Sequence, residues 1–160
     1  MYQFKTALQL YSVKENMEKD FSGTLMKVKE MGYDGIEFAG LFDYTAVQVR
    51  EMCAQIGLVP ISAHVPYLEM LKGEETFKLY KEIGCKYIVI PCINAENLAG
   101  GENNEEFITN VKLLGSLAQK HGIKLCYHNH DFEFEKVNGE YKLDLLYQRV
   151  PKELLSTQLV

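Results

Sequence analysis

Residues 119–135 read QKHGIKLCYHNHDFEFE. A helical end runs into Gly122, an apolar run from Ile123 to Tyr127 follows, and then His128, Asn129, His130 and Asp131 stand in a row. Glycine closes helices because it enters the left-handed region without a Cβ penalty. A short run rich in β-branched and aromatic residues after it is a strand. The same order recurs in KEMGYDGIEF at Gly32, AQIGLVPISAHVP at Gly57 and KEIGCKYIVIP at Gly84. Helix, glycine and strand in repetition describe successive β/α units and a parallel sheet.

The helical stretches carry matching stripes. Phe21, Leu25, Val28 and Met31 fall at helical spacing, as do Ala46, Val49, Cys53 and Ile56, Phe77, Tyr80 and Ile83, and Phe107, Val111, Leu114 and Ala118. Each stripe reads as a core-facing side. Thr45 with Gln48, and Asn103 with Glu106, are expected capping boxes. Strands are expected at about 5–11, 34–39, 59–65, 86–91, 123–130 and 154–160. After the fifth, Phe132–Glu135 alternates and meets Asn138-Gly139, a hairpin signal. Glu133 and Glu135 are expected on the solvated face of that hairpin, and a helix from about Leu143 to Arg149 precedes Pro151.

The chain has 160 residues, 47% of them hydrophobic, enough for one ordinary core, so residues 1–160 are expected to form a single domain. Lys and Arg number 17 against 22 Asp and Glu, with no basic cluster, which argues against a nucleic-acid partner. No apolar run approaches the roughly 18 residues of a membrane span. The N-terminal MYQFKTALQLYSV lacks the pattern of a secretory leader. Cys53, Cys85, Cys92 and Cys126 form no C-x-x-C and read as buried free thiols of a reducing compartment. The cytoplasm is the expected location.

Side chains alternate across a strand. In the fifth strand Cys126, His128 and His130 share a face; in the third, Ser62 and His64; in the second, Gly35 and Glu37; in the first, Ala7 and Gln9. Each strand thus ends in a polar residue on the side opposite its apolar face. In parallel α/β proteins the ligand site lies at the carboxyl ends of the strands. Glu37, His64, His128 and His130 are therefore expected to converge on one rim, with Gln9 and Asn129 beside them. His128 and His130, two apart, are placed to reach one metal ion. His121 lies at a helix end, where it suits the helix dipole.

The strings GYDGIEF, ISAHVP, KYIVIP and above all LCYHNHDFEF resemble the sugar phosphate isomerase/epimerase family with the xylose isomerase-like TIM barrel, in the branch that carries Tyr-His-Asn-His-Asp-Phe-Glu-Phe and includes inosose dehydratase-like proteins. The resemblance covers the whole chain. It implies a (β/α) TIM barrel holding a divalent metal (Mn, Mg, Co or Zn) at its mouth and moving a proton beside a keto-sugar carbonyl. It places His128 at a metal-ligand position that is Glu in many members. Gln9, His64 and Asn129 then bind the sugar, and Glu37 and His130 carry the proton transfer.

Where the family's sixth strand resembles Ser-Thr-Gln-Leu-Asp, this chain has Ser156, Thr157, Gln158, Leu159 and Val160, and valine offers a metal no donor atom. A complete barrel needs about 250 residues, so the expectation is a barrel truncated after about six strands. Its open edges would expose Leu8, Leu10, Leu155 and Leu159 and favour homo-oligomers. The partner is a small sugar or sugar phosphate. Three other outcomes stay open: an inosose dehydratase-like lyase, a truncated inactive sugar-binding remnant, and an endonuclease IV relative, the last disfavoured by the acidic balance.

Overall fold

The computed structural model describes residues 5–160; residues 1–4, which open the segment read for a leader and begin the expected domain, lie outside the described residues. Six parallel strands form one sheet in chain order: β1 (Ala7–Gln9), β2 (Gly35–Phe38), β3 (Val59–His64), β4 (Tyr87–Ile90), β5 (Lys124–His128) and, beyond a small hairpin of β6 (Lys136–Val137) and β7 (Glu140–Tyr141), β8 (Ser156–Gln158). The helices between them are α1 (Lys14–Lys19), α2 (Phe21–Glu30), α3 (Ala46–Ile56), α4 (Tyr67–Met70), α5 (Glu75–Ile83), α6 (Asn104–Lys120) and α7 (Lys142–Arg149). Sequential parallel strands joined by helices make a half-barrel, with β1 and β8 at its two edges among the described residues.

The glycine punctuation is borne out: Gly32, Gly57, Gly84 and Gly122 all have positive φ, between 64° and 109°. At Gly57 the left-handed turn closes α3 and returns its N–H to the Cys53 carbonyl, which launches β3 within two residues. Thr45 and Gln48 form the expected capping box. Asn103 makes no side-chain cap; instead Asn104 Nδ2 donates to the Asn97 carbonyl at 2.8 Å, so the start of α6 is tied to the preceding loop.

The stripes pack as a core against the outer face of the sheet. Phe21, Leu25, Val28, Val49, Cys53, Phe77, Ile83, Phe107, Val111, Leu114 and Ala118 are buried with Ile36, Phe38, Ile88, Ile90, Leu125 and Tyr127. Met31 departs from its stripe. It caps α2 with helical backbone and is 69% exposed, because the chain turns away at Gly32 and the helix ends beneath it. Removing a side chain such as Leu25 costs about 2–5 kcal/mol, transfer and cavity together.

Several expectations are corrected. The strands are shorter than the apolar runs, and His130 lies beyond β5. Phe132–Phe134 is a turn of 3₁₀-helix, not a strand, so the hairpin at Asn138-Gly139 joins only two residues on each side. Both turn residues have positive φ, as a type I′ turn requires. Glu133 is fully buried, not solvated. Leu10 and Leu155 are buried, while Leu159 is 70% exposed. Cys92 is exposed; the other three cysteines are buried, and burial pushes their thiols up, to about 11 at Cys53 and Cys126 and about 12 at Cys85. No helix among the described residues is long and apolar enough to cross a membrane.

Candidate functional site

The carboxyl ends of the strands surround an open cavity of about 970 Å³. Gln9 from the end of β1, His64 from β3, His128 from β5 and His130 just beyond it line its polar side. Pairing fixes the layers: Gln9 is opposite Glu37, and His128 is opposite Gln158. The register slips by one residue between β2 and β3, so Glu37 stands beside Ser62 rather than Ile61. That slip lets the Ser62 hydroxyl donate to Glu37 Oε2 at 2.6 Å.

Glu37 is the hub beneath the cavity floor. His64 Nε2 lies 3.0 Å from its Oε1, and Gln158 Nε2 donates to its Oε2 at 2.6 Å. Gln158 Oε1 accepts in turn from His64 Nε2 at 2.7 Å and from His128 Nδ1 at 2.9 Å. On the other side of His64, Gln9 Nε2 approaches Nδ1 at 3.2 Å, while Gln9 Oε1 accepts from the Tyr11 backbone N–H at 2.8 Å. The Tyr11 bond fixes which way the Gln9 amide faces. Its NH₂ must therefore donate to His64 Nδ1, and the His64 proton sits on Nε2, aimed at Glu37 and Gln158.

The electrostatics follow. Burial pushes the Glu37 carboxyl up, but bonds from His64 and Ser62, the His64 charge and the Gln158 amide outweigh it and hold Glu37 below its ordinary value. Burial pulls His64 down, but its bonds to Glu37 and Gln158 and the Glu37 charge leave it raised. Gln9 works against that rise, since a second proton on Nδ1 would face an amide donor. His128 is lowered, first by burial and then by the neighbouring His64 and His130, against the pull of Gln158. With Nδ1–H spent on Gln158, His128 keeps a neutral Nε2 with no partner among the described residues.

The rings of His64, His128 and His130 form a chain, with centroids 4.8 Å and 5.0 Å apart and edge-on contacts. His130 stacks on Phe132 at 5.2 Å and 9°. Asn129, expected beside the sugar, is buried and turned away. Its Oδ1 accepts from the Val160 N–H at 3.3 Å, and its amide reaches the carbonyls of His130 and Val160. His121 is far from this rim and pairs with Glu74 at 2.8 Å, beside Lys120.

Two residues of the arrangement were not singled out from sequence. Gln158 joins the floor, and its signal was its place at the end of the last strand, two residues before Val160. Glu133 accepts from the Tyr127 hydroxyl at 2.6 Å and from the His130 backbone N–H at 2.8 Å, locking the turn that carries His130. Its alternation with Phe132 and Phe134 concealed it.

A divalent metal needs several converging donors, about four for zinc. Among the described residues no three His, Cys, Asp or Glu side chains are placed to hold one. Glu37 and His64 satisfy each other and Gln158 takes His128 Nδ1, which leaves His128 Nε2 and His130 Nδ1 without partners among the described residues, two nitrogens where about four donors are needed. The residues present do not fit a metal centre of their own.

A half-barrel of parallel strands with its polar network and cavity at their carboxyl ends belongs to the (β/α)-barrel class. More narrowly, the chain belongs to the xylose isomerase-like TIM barrel family, which matches residues 25–146. Among solved structures it is similar to a sugar phosphate isomerase/epimerase from Parabacteroides distasonis, at 22% identity and a TM-score of 0.78 over 99% of this chain and 66% of that one. It is similar to a D-psicose 3-epimerase studied in the presence of D-fructose, at 15% identity and a TM-score of 0.70 over 98% of this chain and 63% of that one. A xylose isomerase-like protein from Mycobacterium smegmatis, in complex with magnesium, matches at 15% identity and a TM-score of 0.69 over 99% and 66%. At these identities the likeness establishes the fold. The chain spans about two thirds of the length of these structures or slightly less. None of the curated proteins matches it.

Proposed function

We propose that residues 1–160 act as one barrel domain that binds a keto-sugar at the strand ends and moves a proton at the carbon beside its carbonyl, as an isomerase or epimerase. The observation that supports this most is the network Glu37–Ser62–His64–Gln158–His128 under the cavity. It joins a carboxylate held ionised beneath the floor to a neutral imidazole, His128, whose free nitrogen lies on the side where a substrate would sit. A general base must be unprotonated and within reach of the proton it takes. His128 Nε2 meets the first condition near neutral pH.

In this reading Gln9 binds a sugar hydroxyl through the amide hydrogen not spent on His64, His64 holds that amide in place, and His130, on the rim, exchanges a proton with the substrate. Glu37 does not line the cavity. It serves the transfer by orienting His64 and stabilising its positive form. Asn129 contributes indirectly, by holding the Val160 backbone against the rim. His128 Nε2 is the nitrogen that a divalent metal would use, but with no ligand set around it no step is assigned to a metal.

The test is exchange of the substrate's C–H for deuterium in D₂O, followed by proton NMR on a panel of keto-sugars and keto-inositols. Exchange in at least one ketose is expected, falling by about tenfold or more in His128→Ala. Elimination of water instead of exchange would make the protein a lyase. No exchange across the panel would overturn proton transfer altogether.

A further inference from the structure

The cavity has an asymmetry of charge. Among the described residues no lysine or arginine lines it. Glu69 does, and the Glu37 carboxylate lies just under the floor. A phosphoryl group is normally met by Arg or Lys, or by free N–H groups at a helix start. Here α3, which begins two residues beyond Tyr44 on the cavity wall, spends its first donors on itself: Gln48 N–H on Thr45 Oγ1 at 3.3 Å and Thr45 N–H on Gln48 Oε1 at 2.9 Å. The protons of His64 Nε2 and His128 Nδ1 point at Glu37 and Gln158. Lys14 lies over the Tyr11 ring at 5.7 Å and within 3.9 Å of Glu18, and does not line the cavity.

The opposite wall is aromatic. Tyr11, Phe42 and Tyr44 line it and are 66%, 41% and 37% exposed. Phe42 has φ of +54°, a conformation that a bulky residue rarely holds unless its surroundings impose it. Phe21 anchors both neighbours, edge-on to Phe42 at 5.7 Å and tilted against Tyr44 at 4.7 Å. Ring faces carry negative charge density and suit the weakly positive C–H face of a sugar.

Resting on the keto-sugar reading above, we infer that this site takes an uncharged sugar, its C–H face against Tyr11, Phe42 and Tyr44 and its hydroxyls toward Gln9 and the free nitrogen of His128, and rejects the phosphorylated form.

The chain has no tryptophan, so its emission comes from its ten tyrosines, Tyr11 and Tyr44 among them. The experiment titrates the intact chain at pH 8 with D-fructose and with D-fructose 6-phosphate, by tyrosine fluorescence and calorimetry. Fructose is expected to bind at least about tenfold more tightly than its phosphate. Phe42→Gly, which removes the ring and tolerates the positive φ, is expected to weaken fructose about tenfold while the thermal midpoint holds. Phosphate binding as tight as or tighter than fructose overturns the charge selection. Fructose binding unchanged in Phe42→Gly overturns the aromatic wall. Binding of neither sugar overturns this inference together with the keto-sugar reading.

Discussion

Gln158 Nε2 donates to Glu37 Oε2 at 2.6 Å although 121 positions separate the two residues. The bond crosses from the last strand of the sheet to the second, beneath the cavity, and the Gln158 carbonyl also collects His64 and His128. One amide therefore ties β8 to the rest of the rim.

Gln158→Ala should remove a donor from Glu37 and an acceptor from two histidines. Leaving buried polar groups unpaired costs about 1–3 kcal/mol. Urea unfolding should show a loss in that range with little change in the denaturant slope. Gln158→Glu should be worse, since it sets a second carboxylate against Glu37. Wild-type stability in Gln158→Ala would show that the amide holds nothing.

The Glu37–His64 pair has a pH signature. Glu37 is held below its ordinary value of 4.5, so its contribution is complete above about pH 4.5 and is lost as pH falls through the lower folded value. His64 is raised above 6.5, so its contribution is complete below about pH 6.5 and is lost as pH rises through the higher folded value. His128 is lowered and works in the other sense, destabilising the fold as pH falls below 6.5, but it remains in both proteins of the comparison. The difference in thermal midpoint between wild type and Glu37→Gln should peak between pH 4.5 and 6.5 and shrink on either side. A difference flat across pH would show that the two groups do not interact.

Glu133→Ala should unlock the turn beyond β5. The substitution strips the acceptor from the Tyr127 hydroxyl and from the His130 N–H, each buried loss worth about 1–3 kcal/mol. The stack of His130 on Phe132 should loosen with it. In imidazole NMR spectra the upfield ring-current shift of His130 is expected to collapse in Glu133→Ala and in Phe132→Leu alike. A shift retained in Glu133→Ala would mean that Phe132 alone positions the ring.

Gly115→Ala opposes two effects. Alanine is favoured over glycine in a helix by about 1 kcal/mol. A Cβ at Gly115, however, would stand 2.4 Å from the Leu154 carbonyl oxygen, where α6 packs on the turn before β8. Backbone cannot yield as a side-chain tip can, so overlap should win and the thermal midpoint should fall. A rise in the midpoint would reveal slack between α6 and that turn.

The strand positions, the glycine-closed helices and the core stripes were readable from the sequence because each depends on near neighbours. A capping box at Thr45–Gln48 or a left-handed Gly57 is decided within one helical turn. Alternation placed Gln9, His64 and His128 toward one rim for the same local reason, and parallel strands bring their ends together. What needed the tertiary structure was any property set by a partner distant in sequence. Alternation suggested a solvated Glu133, but the hydroxyl of Tyr127 and a bend into 3₁₀-helix draw it inside. Met31 continues its stripe in register, yet the turn at Gly32 ends the helix beneath it and leaves it in solvent. Asn129 sits in the polar row, but the backbone of Val160 claims its amide. The slip between β2 and β3, which seats Ser62 on Glu37, arises only when the two strands pair, and Gln158 becomes the centre of the floor only once β8 docks beside β5. Local periodicity decides which face a side chain takes. Sheet register and long-range hydrogen bonds decide what it meets there.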